Sequence, residues 1–379
     1  MDRLVALQQR IAPELSAVIE RRHSILRNIH FSQPIGRRAM AVRLKTQERV
    51  IRREIDFLRD AGMVEITGAG MHLTPAGEEV LRELREYIRS LRGLSNLERV
   101  AAEALNLRRV VAVPGDSDED ESVKKELAKV AAKYIKKCLR DNYTLVVTGG
   151  TTMAEVANAF IPSRVRRNII VLPARGSLGE DMEKQADTVA AAVARGLGGT
   201  YKLLNLPDDL SEEIASRLLE QPRLQEVVNQ IRNADVVIHG IGTAEEMARR
   251  RRLPKDQVEI LKERGAVGEA FGFYFDRNGQ IVYSTASLGL RLEDLPRMKQ
   301  VIAVGGGNSK AEAIIAVSAN NLHQTLITDE GACRHILSLL GVQSLVTTYE
   351  DHLVSDLEGS DADDFGDQDT CETSMNREE

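Results

Sequence analysis

From residue 108 onward the chain carries short runs rich in valine and isoleucine, at 110–113, 145–147, 169–172, 236–238, 301–304 and 325–327. Longer stretches of helical periodicity separate them. Short apolar strands that alternate with helices are the pattern of a parallel sheet covered on both faces, so the larger part of the chain is expected to be a doubly wound α/β domain. Ligands in such sheets bind beyond the carboxyl ends of the strands. The loops that directly follow the runs are therefore where function is to be sought.

Three of those loops are unusual. The first, Thr148, Gly149, Gly150, Thr151 and Thr152, leads from a strand into a helix. Glycines let an anion approach the backbone, and the free N–H groups of a helix start, helped by two hydroxyls, can hold a phosphate. Gly-Gly turns and threonine caps also occur where no ligand binds. The second, Gly305, Gly306, Gly307, Asn308, Ser309 and Lys310, again runs from strand to helix and places a lysine at the helix start. It lacks the spacing of a Walker motif, so nucleotide hydrolysis is not expected, but a second anion cradle is. In the third, Arg175 immediately follows a strand of buried residue types, where a guanidinium can reach a phosphate or a sugar. Two cradles with an arginine between them suit a ligand with two phosphates. One member of the run Arg249–Arg252 is expected to reach the same pocket, and Glu269 to accept hydrogen bonds from hydroxyls or to remain an ordinary loop carboxylate.

The first ninety residues read differently. Apolar positions between 14 and 31 recur at helical spacing, with Ile25, Leu26 and Ile29 among them. A second helix is expected from Pro34, with Ile35, Ala39 and Val42 on its apolar side. A third follows, capped by Thr46, burying Val50, Ile55 and Leu58 and stopping at Gly62. A hairpin through 63–73 would form a wing, and Thr74 and Pro75 start a further helix that serves as core, linker or dimer contact. This is the order of a winged helix-turn-helix. Gln47, Arg49, Arg52 and Arg53 fall away from the buried face of the third helix, where they could read a major groove. Lys45 and His72 are candidate phosphate contacts.

Charge supports nucleic acid. Between Arg10 and Arg59 there are twelve Lys or Arg against five Asp or Glu. The overall charge of -6 comes from the end of the chain, because residues 355–379 hold ten acidic residues against Arg377 alone. That stretch has too few apolar residues to offset its ordering entropy and is expected to be disordered. No apolar run approaches a membrane span or a leader peptide, so a cytoplasmic protein without membrane partners is expected. Cys138, Cys333 and Cys371 have no metal-like spacing, and no metal or cofactor is expected. Cys138 reads as a buried thiol.

The winged helix ending in Leu73, Thr74, Pro75, Ala76 and Gly77, the TGGTT loop at 148–152 and the GGGNSK loop at 305–310 together resemble the SorC family of sugar-binding regulators, over residues 1 to about 345. The resemblance implies a DNA reader with its linker helix at 1–92, an effector-binding and oligomerisation domain at 93–350, and an acidic tail at 351–379 that departs from the family. It also implies an effector domain similar to ribose-phosphate isomerase and glucosamine-phosphate deaminase, retained for sensing without turnover, so no catalytic residue is expected. Fructose 1,6-bisphosphate is the implied effector, with Gly149, Gly150, Thr151, Thr152, Arg175 and Lys310 at its phosphates and Gln185, Arg250 and Glu269 as further contacts. Gly307 belongs to the second cradle. The implied role is a repressor of a glycolytic operon that binds double-stranded operator DNA as a dimer or tetramer. Two rivals stay open: a regulator that answers to a monophosphate or a polyol, and a sugar-phosphate isomerase or deaminase using Glu269 and Lys310 as acid and base.

Overall fold

The computed structural model describes residues 2–161, 168–177, 181–208, 210, 212–285 and 287–342. Residues 1–344 form one unit and 345–379 a second; the second, with the acidic stretch, lies outside the described residues.

The amino-terminal part contains helices α1 (Asp2–Ile11), α2 (Pro13–Ser32), α3 (Arg37–Arg43) and α4 (Glu48–Asp60), strands β1 (Val64–Thr67) and β2 (Gly70–Leu73), then α5 (Pro75–Leu91) and α6 (Leu94–Ala104). Ile25, Leu26 and Ile29 of α2 pack with Met40, Ile51, Ile55, Leu58, Val64 and Met71 in one core. The apolar residues of α4 recur at three- and four-residue intervals, so one stripe faces that core and the arginines face out. Buried Glu54 accepts from Arg22 at 2.9 Å and Arg21 at 3.3 Å, which ties α4 to α2. The Thr74 hydroxyl accepts from the Gly77 amide at 3.1 Å and caps α5 as expected.

Several details differ from the sequence reading. The second helix starts at Arg37, and Ile35 instead bridges Met71 of the wing. Met40 and Ala41 are its buried face, whereas Ala39 and Val42 are exposed, because the helix begins three residues later than the proline implied and its phase moves with it. Gln47, not Thr46, holds the cap position of α4, and Ile51 rather than the half-buried Val50 leads its core stripe. Helix α1 was not foreseen. Its Val5 packs with Ile88 and Leu91 of α5, while Val80 and Leu81 of α5 join the reader's core, so that helix is spent on internal packing.

The larger part contains β3 (Arg109–Val113), α7 (Glu121–Cys138), β4 (Thr144–Val147), α8 (Thr151–Asn158), β5 (Ile170–Pro173), α9 (Ala186–Leu197), β6 (Thr200–Tyr201), α10 (Glu212–Leu218), α11 (Pro222–Arg232) and β7 (Val236–Gly240). There follow β8 (Gly242–Thr243), α12 (Ala244–Arg250), α13 (Lys255–Glu263), β9 (Ala266–Ala270), β10 (Phe273–Asp276), β11 (Ile281–Ser284), β12 (Gln300–Val304), α14 (Ala311–Ser318), β13 (Thr325–Asp329) and α15 (Glu330–Leu339). Seven strands form one sheet in the order β3-β13-β12-β7-β4-β5-β6, every pair parallel, with a separate apolar cluster on each face. All six expected strands are in it. From β4 the chain moves outward through β5 and β6, and from β7 it moves the other way through β12 and β13. The crevice between the carboxyl ends of β4 and β7 is therefore the topological switch point, where ligands settle. A smaller antiparallel sheet, β11-β10-β9-β8, was not foreseen. Gly268 of β9 packs against the backbone of Ala313 in α14, at a distance that leaves no room for a side chain. Cys138 is half-buried at the end of α7 and Cys333 is the buried thiol.

Candidate functional site

At the switch point Thr148 Oγ1 accepts from the Gly240 amide at 3.1 Å and joins the ends of β4 and β7. The Gly150 amide donates to Lys184 O at 2.8 Å, and a Cβ at Gly149 would lie 2.5 Å from the same oxygen. Glycine is thus required for the turn to lie against residues 184–186. Helix α8 begins at once, and no protein atom among the described residues accepts from the amides of Thr151, Thr152 or Met153. These donors point along the helix axis toward its positive end.

That helix start lines a partly open cleft. Thr148–Met153, Arg175, Lys184, Gln185, Gly240–Gly242, Glu246, Arg250, Arg251, Glu269 and Lys310 border it. Nine of the ten residues expected at an effector therefore meet in one place, although they come from six separate segments spread over 162 positions.

Lys310 is half-buried, and its ammonium forms no ion pair or hydrogen bond among the described residues. Burial holds its ammonium below the usual lysine range, against the attraction of Glu246 and Asp118. Arg250 comes within 3.9 Å of Met247 Sδ, and its guanidinium overlooks Gly150. Lys184 is paired with Asp181 at 2.6 Å.

The floor is a buried network. Arg175 Nε donates to Asp208 Oδ1 at 2.9 Å, one terminal nitrogen donates to Phe271 O, and the other to Thr285 O and Oγ1 at 3.2 and 2.9 Å. Arg251 bridges Asp208 and Glu269, and Glu269 Oε1 also accepts from the Gly272 amide at 2.5 Å. Arg175 borders the cleft, and four of its five N–H groups are engaged by protein. Glu269 is likewise neutralised by Arg251. Both shape the cleft by holding its floor.

Gly307 does not border the cleft. Its amide donates to Asp329 Oδ2 at 2.7 Å, the Asn308 amide to Asp116 Oδ1 at 3.3 Å and the Ser309 amide to Asp118 Oδ2 at 2.8 Å. The expected second anion cradle is already filled by three aspartates of the same chain, and only Lys310 reaches the cleft from this loop. The sequence reading missed Lys184, Asp208, Glu246 and Arg251. The arginine run was a signal for Arg251; the other three stand among ordinary charged residues.

On α4, Arg49, Arg52 and Arg53 are exposed on the side opposite the core, with Gln47 exposed at the cap. Arg49 has no ion pair or hydrogen bond among the described residues. Arg52 approaches Glu48 at 3.6 Å and Arg53 approaches Glu54 at 3.4 Å. Lys45 is paired with Glu119, and half-buried His72 lies opposite Glu65 in the wing. Among the described residues no helix is long and apolar enough to cross a membrane, and no group of His, Cys, Asp or Glu is arranged to hold a metal.

The family described as "Putative sugar-binding domain" matches residues 89–338, and the "CggR N-terminal DNA binding domain" matches residues 18–88. The central glycolytic genes regulator of Bacillus subtilis (strain 168) is 40% identical over 89% of this chain and 99% of its own length; that of Priestia megaterium is 41% identical over the same shares. A solved protein of Enterococcus faecalis, described as a SorC family transcriptional regulator, is 38% identical and covers 64% of this chain and 99% of its own, with a TM-score of 0.60. The full-length sorbitol operon regulator SorC of Klebsiella pneumoniae shares the fold at 16% identity and a TM-score of 0.60, over 85% of this chain and 98% of its own.

Proposed function

We propose, from the premise that this chain belongs to the SorC-type family of the central glycolytic genes regulators, that it is a DNA-binding repressor of a glycolytic operon whose hold on the operator changes when fructose 1,6-bisphosphate occupies the cleft. The observation that carries this reading is the pairing, in one cleft, of an uncapped helix start at Thr151–Met153 with the unpartnered ammonium of Lys310. The amides suit one phosphate and the lysine a second. Gln185 and Arg250 border the space between and are candidates for the sugar and its phosphates. The protein acts in the cytoplasm as a dimer, with a tetramer on DNA, and Gln47, Arg49, Arg52 and Arg53 face the operator while Lys45 and His72 flank it.

Calorimetry tests the effector. The bisphosphate binds tightly and fructose 6-phosphate weakly. Lys310→Ala lowers the bisphosphate affinity by about 10- to 150-fold, the loss of one charge-assisted hydrogen bond, and leaves the monophosphate nearly unchanged. Thr152→Ala weakens both. Equal binding of the two sugars, unaffected by either substitution, would sink the assignment. One observation favours the rival monophosphate effector: the amides of Gly307, Asn308 and Ser309 are occupied, so side chains alone serve the second phosphate. In the enzymatic alternative Glu269 would need to move protons, and Arg251 and the Gly272 amide already hold its Oε1. Incubation with ribose, fructose and glucosamine phosphates is expected to show no turnover.

A further inference from the structure

The segment between β3 and α7 is acidic: Asp116, Asp118, Glu119 and Asp120, followed by Glu121 at the start of α7. Its carboxylates face two ways. Asp116 and Asp118 accept the amides of Asn308 and Ser309, and the Ser117 amide and hydroxyl donate to Asp329 Oδ2 at 3.0 and 2.5 Å, the same oxygen that accepts from Gly307. These bonds hold the segment to the loop that ends in Lys310. On the other side Asp120 accepts from Arg27 at 2.9 Å and from Asn28 at 3.1 Å, both on α2 of the reader. Arg27 is buried and also donates to Pro114 O at 2.9 Å. Glu119 pairs with Lys45, two positions before the cap of α4, and Glu121 lies 4.0 Å from Arg43.

The segment is internally braced. The amides of Glu119 and Asp120 both donate to Asp116 O, and that of Asp118 to Asp116 Oδ1 at 2.8 Å. A displacement of Asp116 or Asp118 is thus carried to Glu119 and Asp120 rather than absorbed between them. Asp118 also lies within the field of Lys310, the cleft's unpartnered cation.

We propose that residues 114–121 are the coupling element of the protein, with Asp118 as the positioning residue through which an anion on Lys310 changes the placement of the DNA reader. The proposal rests on the reading of the cleft as a sensor of a phosphorylated sugar. An arriving phosphate takes the attraction Lys310 exerts on Asp118 and adds its own negative charge beside it. Asp118 and Asp116 then lose their hold on the amides of Ser309 and Asn308, and the braced turn shifts against Arg27, Asn28 and Lys45. Because coupling is reciprocal, bound operator changes the affinity for the sugar by the same factor.

The test uses the full chain, a duplex obtained by selection in vitro, and fructose 1,6-bisphosphate as the probe. Duplex affinity is read with and without the sugar, and sugar binding is read by calorimetry. The parent's affinity ratio is expected in the range of roughly 5- to 150-fold. Asp118→Ala is expected to bind the sugar at least as tightly as the parent, because Lys310 loses a competing carboxylate, and to bring the ratio toward 1. Glu119→Gln breaks only an exposed pair, which contributes little to stability, so it leaves the unfolding midpoint in place and still lowers the ratio. Two variants that keep the parent's ratio overturn the proposal. A parent that gives heat with the sugar but no ratio overturns it as well. A parent that gives no heat overturns the effector reading, and the proposal with it.

Discussion

Arg251 donates to Glu269 at 3.1 Å while its other terminal nitrogen pairs with Asp208, so one buried guanidinium holds together a carboxylate of β9 and one from the segment that follows β6. Burial opposes its charge, but the fields of Glu269 and Asp208 prevail and raise its pKa above the arginine range. Arg251→Met would leave Glu269 and Asp208 short of a counter-charge in a water-poor site. The expected cost is about 3–5 kcal/mol, the usual result of breaking a buried pair from one side. Urea unfolding measures it; a loss under about 1 kcal/mol would mean that the network is solvated and does not hold the floor.

Gly149 and Gly150 lead to different outcomes when substituted. A Cβ at 149 would meet Lys184 O at 2.5 Å and the Ala186 amide nitrogen at 2.9 Å, both backbone atoms that cannot rotate away. Gly149→Ala is therefore expected to push residues 184–186 off the turn and abolish sugar binding. At Gly150 the space is open, with only Arg250 Nη1 at 3.8 Å, but φ is +117°. Gly150→Ala is expected to cost about 1–3 kcal/mol in backbone strain. Calorimetry and thermal unfolding on the two variants separate these effects; equal sugar affinity in Gly149→Ala and parent would show that the turn does not shape the cleft.

The parallel strands could be read from the sequence because strands buried on both faces are built almost wholly of apolar residues, as Val236–Ile238 and Val301–Val304 are. The antiparallel sheet escaped because Gly268 and Glu269 interrupt β9, while β10 and β11 offer only the short runs Phe273–Phe275 and Ile281–Tyr283, which the sequence reading passed over. The loops that follow the strands pointed to the cleft, since a glycine turn between strand and helix has a local cause. What those loops do once folded was not local. Whether the amides of Asn308 and Ser309 are open depends on Asp116 and Asp118, some 190 positions away, and whether Arg175 is free depends on Asp208, Phe271 and Thr285.

Three histidines make the fold sensitive to mild acid. His23 lies buried between reader and body, where desolvation first, and then Arg27, Arg92 and Arg85, lower its pKa to about 3. Burial lowers His239 to about 4, and desolvation together with His239 keeps His323 well below the usual value. All three are neutral in the folded state, whereas an unfolded histidine takes a proton near pH 6.5. The unfolded state thus binds more protons as pH falls below that value, and stability, complete above it, is lost toward the folded pKa values. Between about pH 6 and 4.5 each histidine is expected to remove about 1.4 kcal/mol per pH unit. Unfolding midpoints at pH 7, 6 and 5 check this; a flat profile would mean that the sites are hydrated. The lowered carboxyls of Glu54 and Glu330 act only below this window.

Arg49 is the most informative single residue of the reader. It is exposed on the face of α4 opposite Ile51, Ile55 and Leu58, and it has no partner among the described residues, whereas Arg52, Arg53 and Lys45 each face a carboxylate. Binding through Arg49 requires no ion pair to be broken first. If it contacts a phosphate, Arg49→Ala weakens every duplex alike and lowers the salt slope of binding by about 1. If it contacts a base edge, the loss is about 1–3 kcal/mol on the selected duplex and much smaller on others. Anisotropy titrations of selected and random duplexes at three salt concentrations distinguish the two. Unchanged affinity on both duplexes would take Arg49 out of the interface and shift the reading surface to the wing, where His72 and the turn at Gly68 would be the next positions to substitute.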